Sequence, residues 1–198
     1  MSAKGERTRQ RLVTAARELL AETGGELVFG DVAARAGVSP GAPYRHFANK
    51  TALALAVVEE VFDEMEVATY QPTFEGEGPD WWSREKVRIA RTVDFYFDDP
   101  LCALVIRGIA GDAAVTQARA RRLDKQTRGA AKNVAVGREL GVVPAHIDPL
   151  MAGALLMGGV YQLLATALVA AKPNRRKVKA ELQRFMARVL ELPEENHA

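Results

Sequence analysis

Apolar residues recur along this chain with a period near 3.6, and no stretch shows the alternation of a half-buried strand. From Arg7 to Glu22, Leu12, Ala15, Ala16, Leu19 and Leu20 share one helical face, and Thr23-Gly24-Gly25 ends the run. A short second helix ends at Ala36-Gly37, and a third spans Gly41 to Phe47. A fourth starts after Asn49, a good N-cap, and reaches about Tyr70. The loop QPTFEGEGPD follows, and its prolines and glycines mark the main domain boundary. Beyond it the pattern predicts helices at Trp81 to Asp98, Leu101 to Ala110, Val115 to Leu140, Asp148 to Ala171 and Arg175 to Leu192. Gly141, Asp148-Pro149 and Lys172-Pro173-Asn174 separate the last three. The expected fold is all-α, with about nine helices.

The most informative stretch is FGDVAARAGVSPGAPYRHFANK, residues 29 to 50. Gly37 can take the positive φ that a sharp turn between two crossing helices needs. Ala33 lets the helices approach, and Val32, Ala36 and Val38 make a small apolar seam between them. Ser39 stands where an N-cap belongs, with Pro40 at the favoured first helical position. Pro43 works against that start: it cannot donate to the Ser39 carbonyl and biases Ala42 away from helical angles, so a later start is also open. The helix that follows is too short to have a core of its own. Tyr44, Arg45 and His46 on it are types that meet phosphates and base edges.

Charge sharpens this reading. The chain carries a net +2, but residues 1 to 50 hold eight lysines and arginines against five acids, a local +3, and the remainder sums to −1. A basic head on a near-neutral body suits a phosphate-binding module. Lys4, Arg7, Arg9 and Arg11 sit at the N-terminal end of the first helix, and Lys50 at that of the fourth, where cations oppose the helix dipole. A nearby phosphate would offset that cost; a solvated basic end accounts for the first cluster equally well.

The pattern helix, VAARAGVS, PGAPYRHF, then NK and an apolar run from Leu53 resembles the TetR-like family of bacterial repressors over roughly the first 60 residues. Beyond them the agreement is only in length and helical character. The resemblance implies a DNA-binding head, a ligand-binding helical body and a homodimer. Two residues depart from the family pattern: Val28 replaces the usual Ser or Thr cap, and Pro43 the usual apolar residue of the reading helix. The expected domains are a helix-turn-helix head at 1–48, a connecting helix at 49–70, and a ligand-binding and dimerisation body at 71–198. Ser39, Pro40, Ala42 and Pro43 are expected near bases, and Tyr44 and Lys50 on phosphates, helped by Arg45 or His46. Phe47 is expected to pack beneath the motif. Double-stranded DNA is the expected partner.

Enzyme chemistry has little support. His46, His146 and His197 are scattered, and Cys102 is a lone cysteine in an apolar stretch. No metal or other cofactor is expected. His146 and Asp148 read as a loop residue and an N-cap. The start MSAKGERTRQR has no apolar core of a secretory signal, so the cytoplasm is the expected location. Leu150 to Ala171 carries no charge and is long enough to span a membrane. A buried helix that pairs with a second copy explains it better, since Gln162, Thr166 and the nearby glycines and alanines lower its hydrophobicity. In that reading residues 148–171 and 175–192 form a homodimer interface and no membrane is involved. Phe62, Met65, Trp82, Phe95, Tyr96, Met157 and Tyr161 are candidates for a ligand pocket, with Trp81 and Met151 beside them; most such residues are simply core. Arg91, Asp94, Asp98 and Arg107 offer polar groups to a pocket or to solvent. The expected function is a sequence-specific DNA-binding regulator, a repressor released from a palindromic operator by a small molecule. A ligand-independent architectural DNA binder is the rival reading.

Overall fold

The computed structural model describes residues 3–71, 76–107 and 113–193; His197, Ala110 and the side chain of Arg107 lie outside the described residues. The helices are α1 (Ala3–Thr23), α2 (Phe29–Arg35), α3 (Ala42–His46), α4 (Lys50–Thr69), α5 (Trp81–Asp98), α6 (Pro100–Arg107), α7 (Ala113–Glu139), α8 (Pro149–Leu168) and α9 (Arg175–Val189). No strand occurs among the described residues. The all-α expectation holds.

Local chemistry sets most helix ends. At the N-termini of α4, α5, α8 and α9, the side chains of Asn49, Asp80, Asp148 and Asn174 accept hydrogen bonds from Ala52, Ser83, Met151 and Lys177 at 2.8–2.9 Å. Each bond satisfies one amide that helical geometry leaves without a partner. At four C-termini the chain turns through the left-handed region at Gly24, Gly37, Gly141 and Glu191. The next amide then reaches back five residues: Gly25 to Leu20, Val38 to Ala33, Val142 to Gly137 and Leu192 to Ala187, at 2.9–3.1 Å. These are Schellman closures, three on glycine and one on a glutamate.

The chain divides into two compact units. The first comprises residues 1–63 and 100–119, so the division falls inside α4 and α7, and α6 joins the first unit. Its core is Leu12, Leu20, Val32, Leu53 and Val57, all fully buried. On α1, Val13 is buried and Leu19 only half-buried, because the inner face is rotated slightly from the one the apolar spacing favours. Cys102 is buried within α6, which packs on α1.

The second unit comprises residues 64–99 and 120–198, with α9 packed on α5 and α8. Close approach between α7 and α8 depends on Gly153, where a Cβ would come within 2.8 Å of the Thr127 carbonyl oxygen. Asp94 on α5 pairs with Arg175 (3.2 Å) and Lys179 (2.7 Å) of α9, and Asp98 also pairs with Arg175. Arg91 pairs instead with Glu77, so these acids and this arginine form surface ties. His146 pairs with Glu191 at 3.1 Å on the surface, and Asp148 is the cap expected of it.

Candidate functional site

The head of the first unit is built around the turn between α2 and α3. Gly37 has φ +60°, and the Arg11 guanidinium donates to the carbonyls of Ala36 and Gly37. Arg11 is thereby committed to closing the end of α2. Arg9 lies over the Phe47 ring at 5.2 Å, and Phe47 is buried beneath the motif. Arg35 is held by Glu22 (2.8 Å) and Glu18 (3.2 Å), which raises its pKa further; the same contact from Arg35 lowers that of Glu22. Arg7, Arg45 and Lys50 have no acidic partner among the described residues.

The third helix starts later than Ser39 and Pro40 alone would place it. Its N-cap is Gly41, without a side-chain bond, and Ser39 instead accepts the Ala42 amide through its carbonyl at 2.9 Å. Pro43, within the first turn of the helix, cannot donate to Ser39, and the chain closes a separate turn before the helix begins. The result is a helix of five residues, Ala42–His46. Ala42 and Pro43 face inward and are buried, whereas Ser39, Pro40, Tyr44, Arg45 and Lys50 are exposed and His46 is half-buried. Tyr44 is 70% exposed, with its ring set edge-on to Phe29 at 4.9 Å. That contact orients the phenol while most of the side chain stays exposed. At the start of α2, Val28 has extended cap geometry and gives no side-chain bond, leaving the end of the helix with an amide to offer.

The structure thus gathers one polar surface from the turn before α3, from α3 itself and from the start of α4. Its uncommitted cations and donors suit a phosphate backbone, while few side chains are left to read base edges directly.

A second candidate site lies within the second unit. A cavity of about 510 Å³ is lined by α5, α7, α8 and α9 and by the residues that follow α4. Of the aromatic and sulfur residues expected there, Met157 and Trp81 line it. Phe62, Met65, Trp82 and Tyr96 are core residues instead. Phe95 and Tyr161 are half-buried and contact Tyr96 edge-on at 6.1 and 6.2 Å, and Phe97 lies under Arg175. The Tyr161 hydroxyl donates to Gln126, a buried polar residue. Met151 is exposed on α8.

The polar lining was not foreseen from the sequence. Glu85, Arg88 and Thr92 sit at helical spacing from Trp81, so one stripe of α5 carries an aromatic, an acid, a base and a hydroxyl into the cavity wall. That mixture on an inward face was the available signal. Arg88 pairs with Glu85 at 3.3 Å and donates to the Thr69 carbonyl at 2.7 Å. The Tyr70 hydroxyl lies 3.7 Å from the Met157 sulfur. Its pKa is pushed up, first by burial of its tip and then by Tyr161, so the proton stays on the oxygen. No group of three or more His, Cys, Asp or Glu suited to a metal occurs among the described residues.

Residues 12–57 match the family model of bacterial regulatory proteins, tetR family. Solved structures of similar fold cover nearly the whole chain. SmeT, the repressor of the Stenotrophomonas maltophilia multidrug efflux pump SmeDEF, aligns with a TM-score of 0.76 at 18% identity, over 96% of this chain and 93% of that one. A putative TetR-family transcriptional regulator from Rhodococcus sp. gives 0.76 at 19%, over 93% and 99%. RolR in complex with resorcinol gives 0.71 at 22%, over 100% and 94%. No curated protein matches the chain in sequence.

Proposed function

We propose that this chain, a tetR-family regulator by its head and its fold, is a repressor that binds a palindromic DNA operator as a homodimer and leaves it when a small molecule occupies the body. The observation that carries the DNA-binding part is the exposed set Ser39, Pro40, Tyr44, Arg45 and Lys50, in a head of net +3 whose other cations are mostly committed. Tyr44 and Lys50 hold phosphates, with Arg45 and the N-terminal Arg7 beside them. Ser39 and Pro40 approach the base edges. Ala42 and Pro43 shape the helix from below. With so few side chains to read bases, DNA shape and backbone contacts supply much of the selectivity.

The homodimer reading rests on α8. It is the one helix among the described residues long and apolar enough to cross a membrane, yet only 33% of its most apolar window is buried. Leu150, Met151 and Leu155 remain exposed on it, and Ala154 and Gly158 beside them allow close approach. A second copy covers that stripe, as in a four-helix interface with α9. The cavity favours a ligand-responsive regulator over an architectural DNA binder, and RolR shows a ligand bound within the same fold. The protein acts in the cytoplasm.

Fluorescence anisotropy with the DNA flanking the protein's own gene, at several salt concentrations, tests this reading. Tight, salt-sensitive binding that unrelated DNA cannot displace is expected, with Tyr44→Ala and Lys50→Ala each weakening it. Equal affinity for unrelated DNA would overturn the operator reading.

A further inference from the structure

The charges around the cavity in the second unit narrow what it takes. Glu85 is only 3% exposed and, standing alone, would select a cation. It does not stand alone: Arg88 Nε is 3.3 Å from its Oε1, and the same arginine is anchored on the Thr69 carbonyl. The buried pair cancels. Two further cations line the cavity, Arg84, half-buried, and Lys132, exposed, and neither has an acidic partner among the described residues. Also in the lining, the Tyr70 hydroxyl has only a thioether as partner, a weak acceptor that leaves the O–H available to donate. Much of the remaining wall is apolar, including Trp81, Ile89, Val134, Leu156, Leu182 and Leu190.

We propose that this cavity binds an apolar monocarboxylate, its body against the aliphatic wall and its head group on Arg84. The inference rests on the reading of the cavity as the effector site and adds the chemical class of the effector. An apolar wall with a few convergent polar groups is how such sites fix orientation, and a guanidinium matches a carboxylate in both charge and shape. At about 30 Å³ for each water-sized group, the cavity holds on the order of 15–20 non-hydrogen atoms. That is the size of a medium-chain acid or a two-ring aromatic acid. An uncharged analogue keeps at most a neutral hydrogen bond and loses the charge assistance, and a cationic one meets Arg84 and Lys132 as like charges.

The test uses the intact protein and follows indole fluorescence, since Trp81 lines the cavity, during titration with dodecanoate, dodecan-1-ol and dodecylamine below their micellar concentrations. Dodecanoate is expected to bind at least tenfold more tightly than the alcohol, and the amine more weakly than either. Arg84→Gln removes the preference for the acid, and a helical circular dichroism spectrum and urea midpoint matching the native protein's show that the variant is folded. An amine or alcohol that binds as tightly as the acid overturns the charge assignment while leaving the cavity a ligand site. Binding of none of the three overturns both the assignment and the effector-site reading. Operator release is measured in parallel: tight binding of the acid without release overturns release by ligand and leaves the present inference standing.

Discussion

Asp80 shows how much one side chain decides. Its carboxylate takes the Ser83 amide at 2.8 Å and the Ser83 hydroxyl at 2.9 Å, the first of which does most to hold its pKa below the ordinary carboxylate value. A lowered folded-state pKa means that its contribution is complete above the unfolded value near 3.9 and is lost as pH falls through the folded value. Asp80→Asn keeps a capping side chain but loses the charge at the helix N-terminus. The native protein is therefore expected to be the more stable by about 0.3–1 kcal/mol at neutral pH. That difference should shrink towards zero as the pH falls through the lowered folded-state value and the carboxylate protonates. Urea unfolding of both proteins between pH 2 and 7 checks it; a gap unchanged at acid pH would show that Asp80 acts by shape alone. Elsewhere, single residues were legible only where their role is local. The caps Asn49 and Asp148 and the turn at Gly37 could be named from their neighbours in the chain. The use of Arg11 could not, because its acceptors at Ala36 and Gly37 lie some 25 positions away.

At the scale of helices, the C-terminal closures give a matched pair of predictions. Gly37 and Glu191 occupy the same left-handed position, with φ +60° and +50°. The left-handed conformation costs a residue with a Cβ about 1–2 kcal/mol. Gly37→Ala is therefore expected to destabilise by about 1–2 kcal/mol, chiefly through the backbone, since the one atom near a new Cβ is the movable end of Arg11 at 3.0 Å. Glu191→Gly should shift stability the other way, by up to about 1 kcal/mol. It gives up only an exposed contact with His146, worth little. Chemical denaturation of both variants reads the signs; the same sign for both would refute the account of these turns. Helix positions were visible in the apolar spacing, and α5 begins and ends where that spacing puts it. The start of α3 was not fully visible, because Ser39-Pro40 and Pro43 favour different first turns, and in the structure the helix begins at Ala42, the start that Pro43 favours.

For the whole molecule, the exposed face of α8 carries the prediction. Leu155 is 62% exposed on a helix with no charge along its length. In a homodimer it is buried against the partner, so Leu155→Lys places an unpaired charge in an apolar interface. The variant should run as a monomer by analytical ultracentrifugation, keep its helical circular dichroism, and lose most operator affinity because two half-sites are no longer held together. A dimer that survives unchanged would place the interface elsewhere.

By itself, the sequence determined the helical class, the positions of most caps and turns, and the identity of the head. These depend on residues close together in the chain: a period of 3.6, a cap and its amide three positions on, a glycine at a turn. Tertiary structure alone decided that α6 packs with α1 and that Ala42 and Pro43 turn inward. It alone decided that Phe62, Met65, Trp82 and Tyr96 are core while Glu85, Arg88 and Thr92 line a cavity. The spacing of an inward stripe is the same whether it meets another helix or an empty space, and only the elements packed opposite it make the difference.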